Sequence, residues 1–190
     1  MTVEMDEIAR YMRMGREVPE GALAERVSKL RKAALAAIRP TSVWRRFPIS
    51  NDLISSGGVT LDIHGKLARH LDGCSSAYLV CGTLGPGFDA FQRRASVVSG
   101  ADALIAQAIG AALIEKYMDS LEDEIRAELE DGESLVERYS PGYGDFPLSA
   151  QTALLALLDA RRKAGIALTD TLLMVPSKSV SAVIGVRKGE

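Results

Sequence analysis

The segment Ile166-Ala-Leu-Thr-Asp-Thr-Leu-Leu-Met-Val-Pro-Ser-Lys-Ser-Val-Ser-Ala-Val-Ile-Gly-Val186 decides the fold class. It holds three short apolar runs, Ile166 to Leu168, Leu172 to Val175 and Val180 to Val186. Runs of this length, bounded by Thr, Asp, Pro and Ser, read as strands. A turn at Pro176 to Ser179 links the last two and predicts a hairpin-like finish. Most of the chain before this segment carries helical periodicity. Grouped strands after a helix-rich stretch indicate α+β, with a central, mainly antiparallel sheet and long helices, and not a regular βαβ repeat.

Outward from that segment, Ser149 to Ala164 reads as a helix closed by Gly165. A longer helix runs from Ala101 to about Leu129, Ala-rich at first and charged from Asp119. At 1.5 Å per residue it is about 40 Å long, enough to span a domain. Phe88 to Val98 is helical, and Ala77 to Cys81 is a buried strand. Between them, Gly82-Thr-Leu-Gly85-Pro-Gly87 invites a phosphate-loop reading, but its spacing is GxxGxG and Pro86 removes an amide. A plain strand-to-helix turn fits better. Ile63 to Leu71 reads as a short helix, Val59 to Leu61 as a strand, and Ser55-Ser-Gly-Gly58 as a turn. Thr41 to Ser56, with Trp44, Arg45 and Arg46, reads as irregular or partly extended. Glu20 to Ile38 is amphipathic, with Leu23, Val27, Leu30, Ala34, Leu35 and Ile38 on one stripe, and Arg39-Pro40 ends it. Asp6 to Met14 is a shorter helix. The expected organisation is an N-terminal helical segment over residues 1–40 and an α+β domain over 41–190.

The chain has 190 residues, 47% of them hydrophobic, and a net charge of −2. That is enough apolar content for one good core, and too little positive charge for broad nucleic-acid binding. No run of about 18 apolar residues predicts a membrane span. The acidic start, Met1-Thr-Val-Glu-Met-Asp-Glu7, lacks the apolar core of a signal peptide, so a cytoplasmic protein is expected. Cys74 and Cys81 read as small hydrophobes. No HExxH, Cys cluster or GxSxG occurs, so metal and nucleophilic catalysis have no sequence signal. The acidic run Glu122 to Asp131 reads as a solvated helix face.

The most chemically loaded stretch is Arg138-Tyr-Ser-Pro-Gly-Tyr-Gly-Asp-Phe-Pro147. An Arg fork offers paired donors to a carboxylate or phosphate. Gly142 permits positive φ and close backbone approach. Ser140 to Gly142 offer main-chain groups, and Tyr139 and Tyr143 offer flat faces with polar tips. Together they suit a small anionic or zwitterionic ligand with an aromatic part. The competing reading is structural: Arg138 paired with the acidic helix before it, above an ordinary Gly-Pro turn.

Arg138-x-x-x-Gly142-Tyr143 resembles the RxxxGY motif of the activation, S-adenosylmethionine-binding, domain of cobalamin-dependent methionine synthase. Met174-Val-Pro176 followed by Ser179-Val-Ser-Ala182 is similar to that domain's C-terminal proline and SVSG. Ala108 to Arg126 is similar to its long helix. The resemblance runs over residues 75 to 186. The opening helices are more similar to small stand-alone members of the family. It implies bound S-adenosylmethionine, with Arg138 on the methionine carboxylate, main chain near Ser140 at the adenine, Gly142 among the binding residues, and Tyr143 lining the pocket. It also places Glu115 near the ligand's positive end.

The implied activity is reductive reactivation: an electron, from flavodoxin or a similar donor, and a methyl group from S-adenosylmethionine restore methylcobalamin from cob(II)alamin. This chain shows no corrinoid module, because Asp62-Ile-His64-Gly65 does not match a cobalamin-binding signature. The implied cobalamin therefore belongs to a partner, a corrinoid-binding methionine synthase or corrinoid methyltransferase protein. Two family features have no counterpart: an acidic ligand contact before residue 60, and a tyrosine pair after SVSG. That leaves a second reading open, a non-catalytic interaction protein of corrinoid-dependent methyl transfer that has lost the ligand.

Overall fold

A computed structural model describes residues 2–15 and 17–189. Its frame is a four-stranded antiparallel sheet, built from β1 (Thr41–Pro48), β4 (Cys74–Thr83), β5 (Glu133–Leu135) and β8 (Ser179–Lys188), in the order β1-β4-β8-β5. The α+β expectation is met. β4 and β8 are central and apolar because both faces are covered. Tyr78, Val80, Ala182 and Ile184 face one core, and Ala77, Leu79, Cys81 and Val183 face another. This period of two is what alternating side chains on a pleated strand require.

One face carries the second half of α5 (Gly100–Ala127), whose Met118, Leu121 and Ile125 pack on the sheet. The other face carries α3 (Gly65–His70), α6 (Ala150–Leu158) and a hairpin of β2 (Leu53–Ser56) and β3 (Val59–Asp62). The predicted turn before Val59 is this hairpin's loop. Gly57 and Gly58 both have positive φ, +58° and +79°, as the favoured two-residue hairpin turn demands. A third cluster joins α1 (Met5–Tyr11), α2 (Gly21–Ala37), α4 (Pro86–Val98) and the first half of α5. Arg26 on α2 ties into the start of α5, reaching Asp102 at 2.5 Å and the Ser99 cap at 2.7 Å.

Three expectations change, and one strand is new. Thr41 to Pro48, read as irregular or partly extended, is extended throughout: it is an edge strand along the whole of β4. Val43 and Phe47 face inward, while the intervening Trp44, Arg45 and Arg46 blur the alternation in sequence. Arg46 forks onto Glu133 at 2.6 and 2.9 Å across the sheet end, and the hydrogen bonds from Arg46 hold the Glu133 carboxyl below its ordinary pKa. β5 itself was not foreseen. The Ser149 to Ala164 helix is broken at Asp159, which adopts φ +54°, so α7 (Ala160–Lys163) is separate. The hairpin-like finish does not form. Met174–Val175 (β7) pairs with Ala167–Leu168 (β6), and β8 pairs with β4 and β5. The connecting residues are held elsewhere: the Ser177 amide and hydroxyl donate to Asp89, and Leu84 N–H donates to Lys178 O at 2.9 Å.

Among the described residues, no helix is long and apolar enough to cross a membrane.

Candidate functional site

After β5 the chain stays zipped to the edge of β8. Val136 N–H donates to Gly185 O at 3.0 Å, and Tyr139 and Val183 exchange both main-chain bonds at 2.9 Å. Consecutive side chains on such a strand point to opposite faces. Tyr139 therefore turns its ring into the α3–α6 core, 5.1 Å from the His70 ring and 6.2 Å from that of Phe146. Arg138 turns the other way, onto α5.

The chain then folds into a tight loop. Gly142 N–H donates to Phe146 O at 2.8 Å, Phe146 N–H to Tyr143 O at 3.0 Å, and Tyr143 N–H to Ser140 O at 3.2 Å. Gly142 has φ +95°, where a side chain is strained. Pro141 and Phe146 are buried beneath the loop, and Tyr143 stays 69% exposed. Asp145 accepts from the Lys66 amide at 2.9 and 3.2 Å, which anchors the loop to α3 and lowers the Asp145 pKa.

Beside this loop lies a groove of about 790 Å³, in the size range of small-molecule sites. Ser179, Val180 and Ser181 of β8 line it, with Arg138 to Pro141 and Tyr143 along one side and Leu172 to Val175 along another. The 169–175 segment is braced by Thr169 and Leu172–Leu173 main-chain bonds at 2.9 Å, and by the buried Gln151 amide donating to Leu172 O at 3.3 Å. Tyr143, Leu148, Leu173 and Val175 are exposed apolar groups at the mouth. The groove thus pairs apolar walls with a polar end.

That polar end is an arginine with three carboxylates. Glu115, Asp119 and Glu122 recur at i, i+4 and i+7 along α5, so one helix face presents all three. Arg138 donates through one terminal nitrogen to Glu115 at 2.6 Å. Its other terminal nitrogen reaches Asp119 at 2.9 Å, and Glu122 as well. Burial disfavours the guanidinium charge, but the hydrogen bonds to Glu122, Asp119 and Glu115 outweigh it and hold the Arg138 pKa above its ordinary value. The structural partner considered for Arg138, the acidic helix, is therefore real, and the arginine lines the groove at the same time. Glu122 is not a solvated carboxylate: its side chain is 19% exposed.

Of the residues singled out in the sequence, Arg138, Ser140, Tyr143 and Glu115 line the groove together, and Gly142 shapes the turn that carries Tyr143. The 169–175 wall, Leu148 and Gln151 were missed. Met174 and Val175, read as strand and as part of the family-like Met174-Val-Pro176 segment, are strand β7 and line the groove as well. The roles of Asp119 and Glu122 were readable from their i, i+4, i+7 spacing with Glu115.

Residues 101–188 match the family model described as the vitamin B12 dependent methionine synthase, activation domain. A crystal structure of the MetH reactivation domain bound to AdoHcy superposes with a TM-score of 0.62. The match is 15% identical in sequence and covers 96% of this chain and 73% of that one. At that identity the likeness is one of fold. No curated protein sequence matches the chain. The resemblance carried by Arg138 to Tyr143 and its flanking segments is upheld over the region that contains the groove.

Proposed function

We propose that this chain, which has the fold of the methionine synthase reactivation domain, binds S-adenosylmethionine in the groove and presents it to a corrinoid on a partner protein. It then supports reductive methylation of cob(II)alamin, with the electron supplied by a flavodoxin-type donor. The supporting observation is that the groove is built from residues of the family-matched region, with Arg138, Ser140 and Tyr143 on one rim.

The residues fit the ligand. An amino-acid head needs a cation for its carboxylate and an anion for its ammonium, and Arg138 and Glu115 stand together at the polar end. An adenosyl group needs apolar walls and main-chain partners, and Leu172 to Met174 and Ser140 to Gly142 offer them. Tyr143 is exposed at the mouth and free to cover a ring. When bound, S-adenosylmethionine supplies the methyl group. The protein's own part is to orient it: Arg138 holds one end, and the apolar rim of Leu148, Leu173 and Val175 meets the partner surface. The corrinoid itself is assigned to the partner.

A second reading rests on the same arginine. Arg138 is already met by three carboxylates, which favours an interaction protein that has kept the fold without the ligand. The two separate in a reconstituted reaction. The chain is mixed with a corrinoid methionine synthase trapped as cob(II)alamin, a one-electron reductant and methyl-labelled S-adenosylmethionine. Label on cobalamin that depends on the chain and is lost in Arg138→Ala supports the first reading. Partner binding without label transfer supports the second.

A further inference from the structure

Arg138 is oversupplied with anions, and its partners are divided between its two terminal nitrogens. One nitrogen is shared by Asp119 and Glu122, and the other is met by Glu115 alone. Of the three carboxylates only Glu115 lines the groove. Its side chain is 38% exposed, and that of Glu122, behind the arginine, is 19% exposed. The groove-facing edge of the guanidinium therefore carries a single replaceable carboxylate, and the far edge carries two that hold the side chain in place.

We propose that Glu115 stands in for a ligand carboxylate and is displaced from Arg138 on binding, while Asp119 and Glu122 are positioning residues that keep the guanidinium aimed at the groove. This rests on reading the groove as a site for an adenosyl amino acid. The exchange replaces one carboxylate by another, so the arginine is never left desolvated without a partner, the state that is most costly. Displacement also gives Glu115 a new task. Freed beside the ligand, it adds a negative charge where the ligand's ammonium and sulfonium lie. With one arginine against three carboxylates, the site keeps a net charge of −2. It selects a ligand whose carboxylate is outnumbered by its cationic groups.

The test isolates the carboxylate. Two probes are titrated calorimetrically: S-adenosylmethionine and its carboxamide, which keep the ammonium and sulfonium and differ only at the carboxylate. The ratio of their affinities within one variant does not depend on the fraction of protein folded. Glu115→Gln removes the competitor and is expected to raise the carboxylate preference by about tenfold, the scale of a partly exposed charged hydrogen bond. Glu122→Gln is expected to lower it several-fold by loosening the arginine, and Asp119→Asn to lower it less, because that side chain is 55% exposed. An unchanged or lower preference in Glu115→Gln overturns the exchange, and an unchanged preference in Glu122→Gln overturns the positioning role. If wild-type protein binds S-adenosylmethionine and these ratios do not move, only the exchange fails. If it binds neither probe, the ligand reading fails as well.

Discussion

The two halves of α5 share one helix and differ in almost everything else. From Ile105 to Ile114 it is apolar except for the exposed Gln107, and Ile105, Ile109 and Leu113 are sealed against α1, α2 and α4. Gly110 sits against Phe88 so closely that a Cβ would lie 2.3 Å from the ring. From Glu115 onward the inner stripe of Met118, Leu121 and Ile125 still packs on the sheet, but the neighbouring stripe presents Glu115, Asp119 and Glu122 to Arg138. The inner face of the first half is committed to packing. The second half holds a polar cluster with more anions than cations, where partners are exchangeable. A continuous helix lets the packed half fix the position of the reactive half.

The largest effect that tests this division is on stability. Leu113 is fully buried, so Leu113→Ala is expected to cost about 2–5 kcal/mol of folding free energy. Denaturant unfolding measures it, and ligand affinity under folded conditions should stay within about twofold. A large affinity loss there would mean that the halves are not separable. Next, Arg138→Ala should weaken S-adenosylmethionine binding by about 1.5–3 kcal/mol, as for one charge-assisted contact. Tyr143→Ala should leave the melting temperature nearly unchanged, because the ring is exposed, and weaken binding by about 0.5–1.5 kcal/mol if the ring covers the ligand. Competition against a fluorescent adenosyl analogue reads that difference.

The smallest effect sharpens the contrast between a fixed and an exchangeable arginine. Arg46 meets one carboxylate, Glu133, through both terminal nitrogens. Hydrogen bonding to Arg46 lowers the Glu133 pKa below its ordinary 4.5. A carboxyl whose pKa is lower folded than unfolded contributes stability above the unfolded value and loses it as pH falls through the folded value. The melting temperature should therefore fall on acidification below about pH 4.5, and fall less in Glu133→Gln. Ligand affinity should not follow this residue.

How much was legible in the sequence follows the same physics. β4 was readable because it is apolar and ends at a Gly-rich turn, and α5 because its period is long and uninterrupted. β1 was legible only as partly extended, because Trp44 and Arg46 face a side where the cover is incomplete and Arg46 finds Glu133. β5 is too short to carry a pattern. The predicted β7–β8 hairpin failed because local spacing cannot reveal that Val180 to Val186 pairs with residues a hundred positions earlier. In the site, the Arg138–Tyr143 loop declared itself by composition. The wall from Thr169 to Val175 did not, since its residues look like a strand and act as a lining.

The most direct measurement is calorimetric titration of S-adenosylmethionine into the wild-type protein and Arg138→Ala. The account predicts one-to-one binding by the wild type, weakened about tenfold to a hundredfold in the variant. No heat of binding at millimolar ligand, or equal affinity in both proteins, would contradict it.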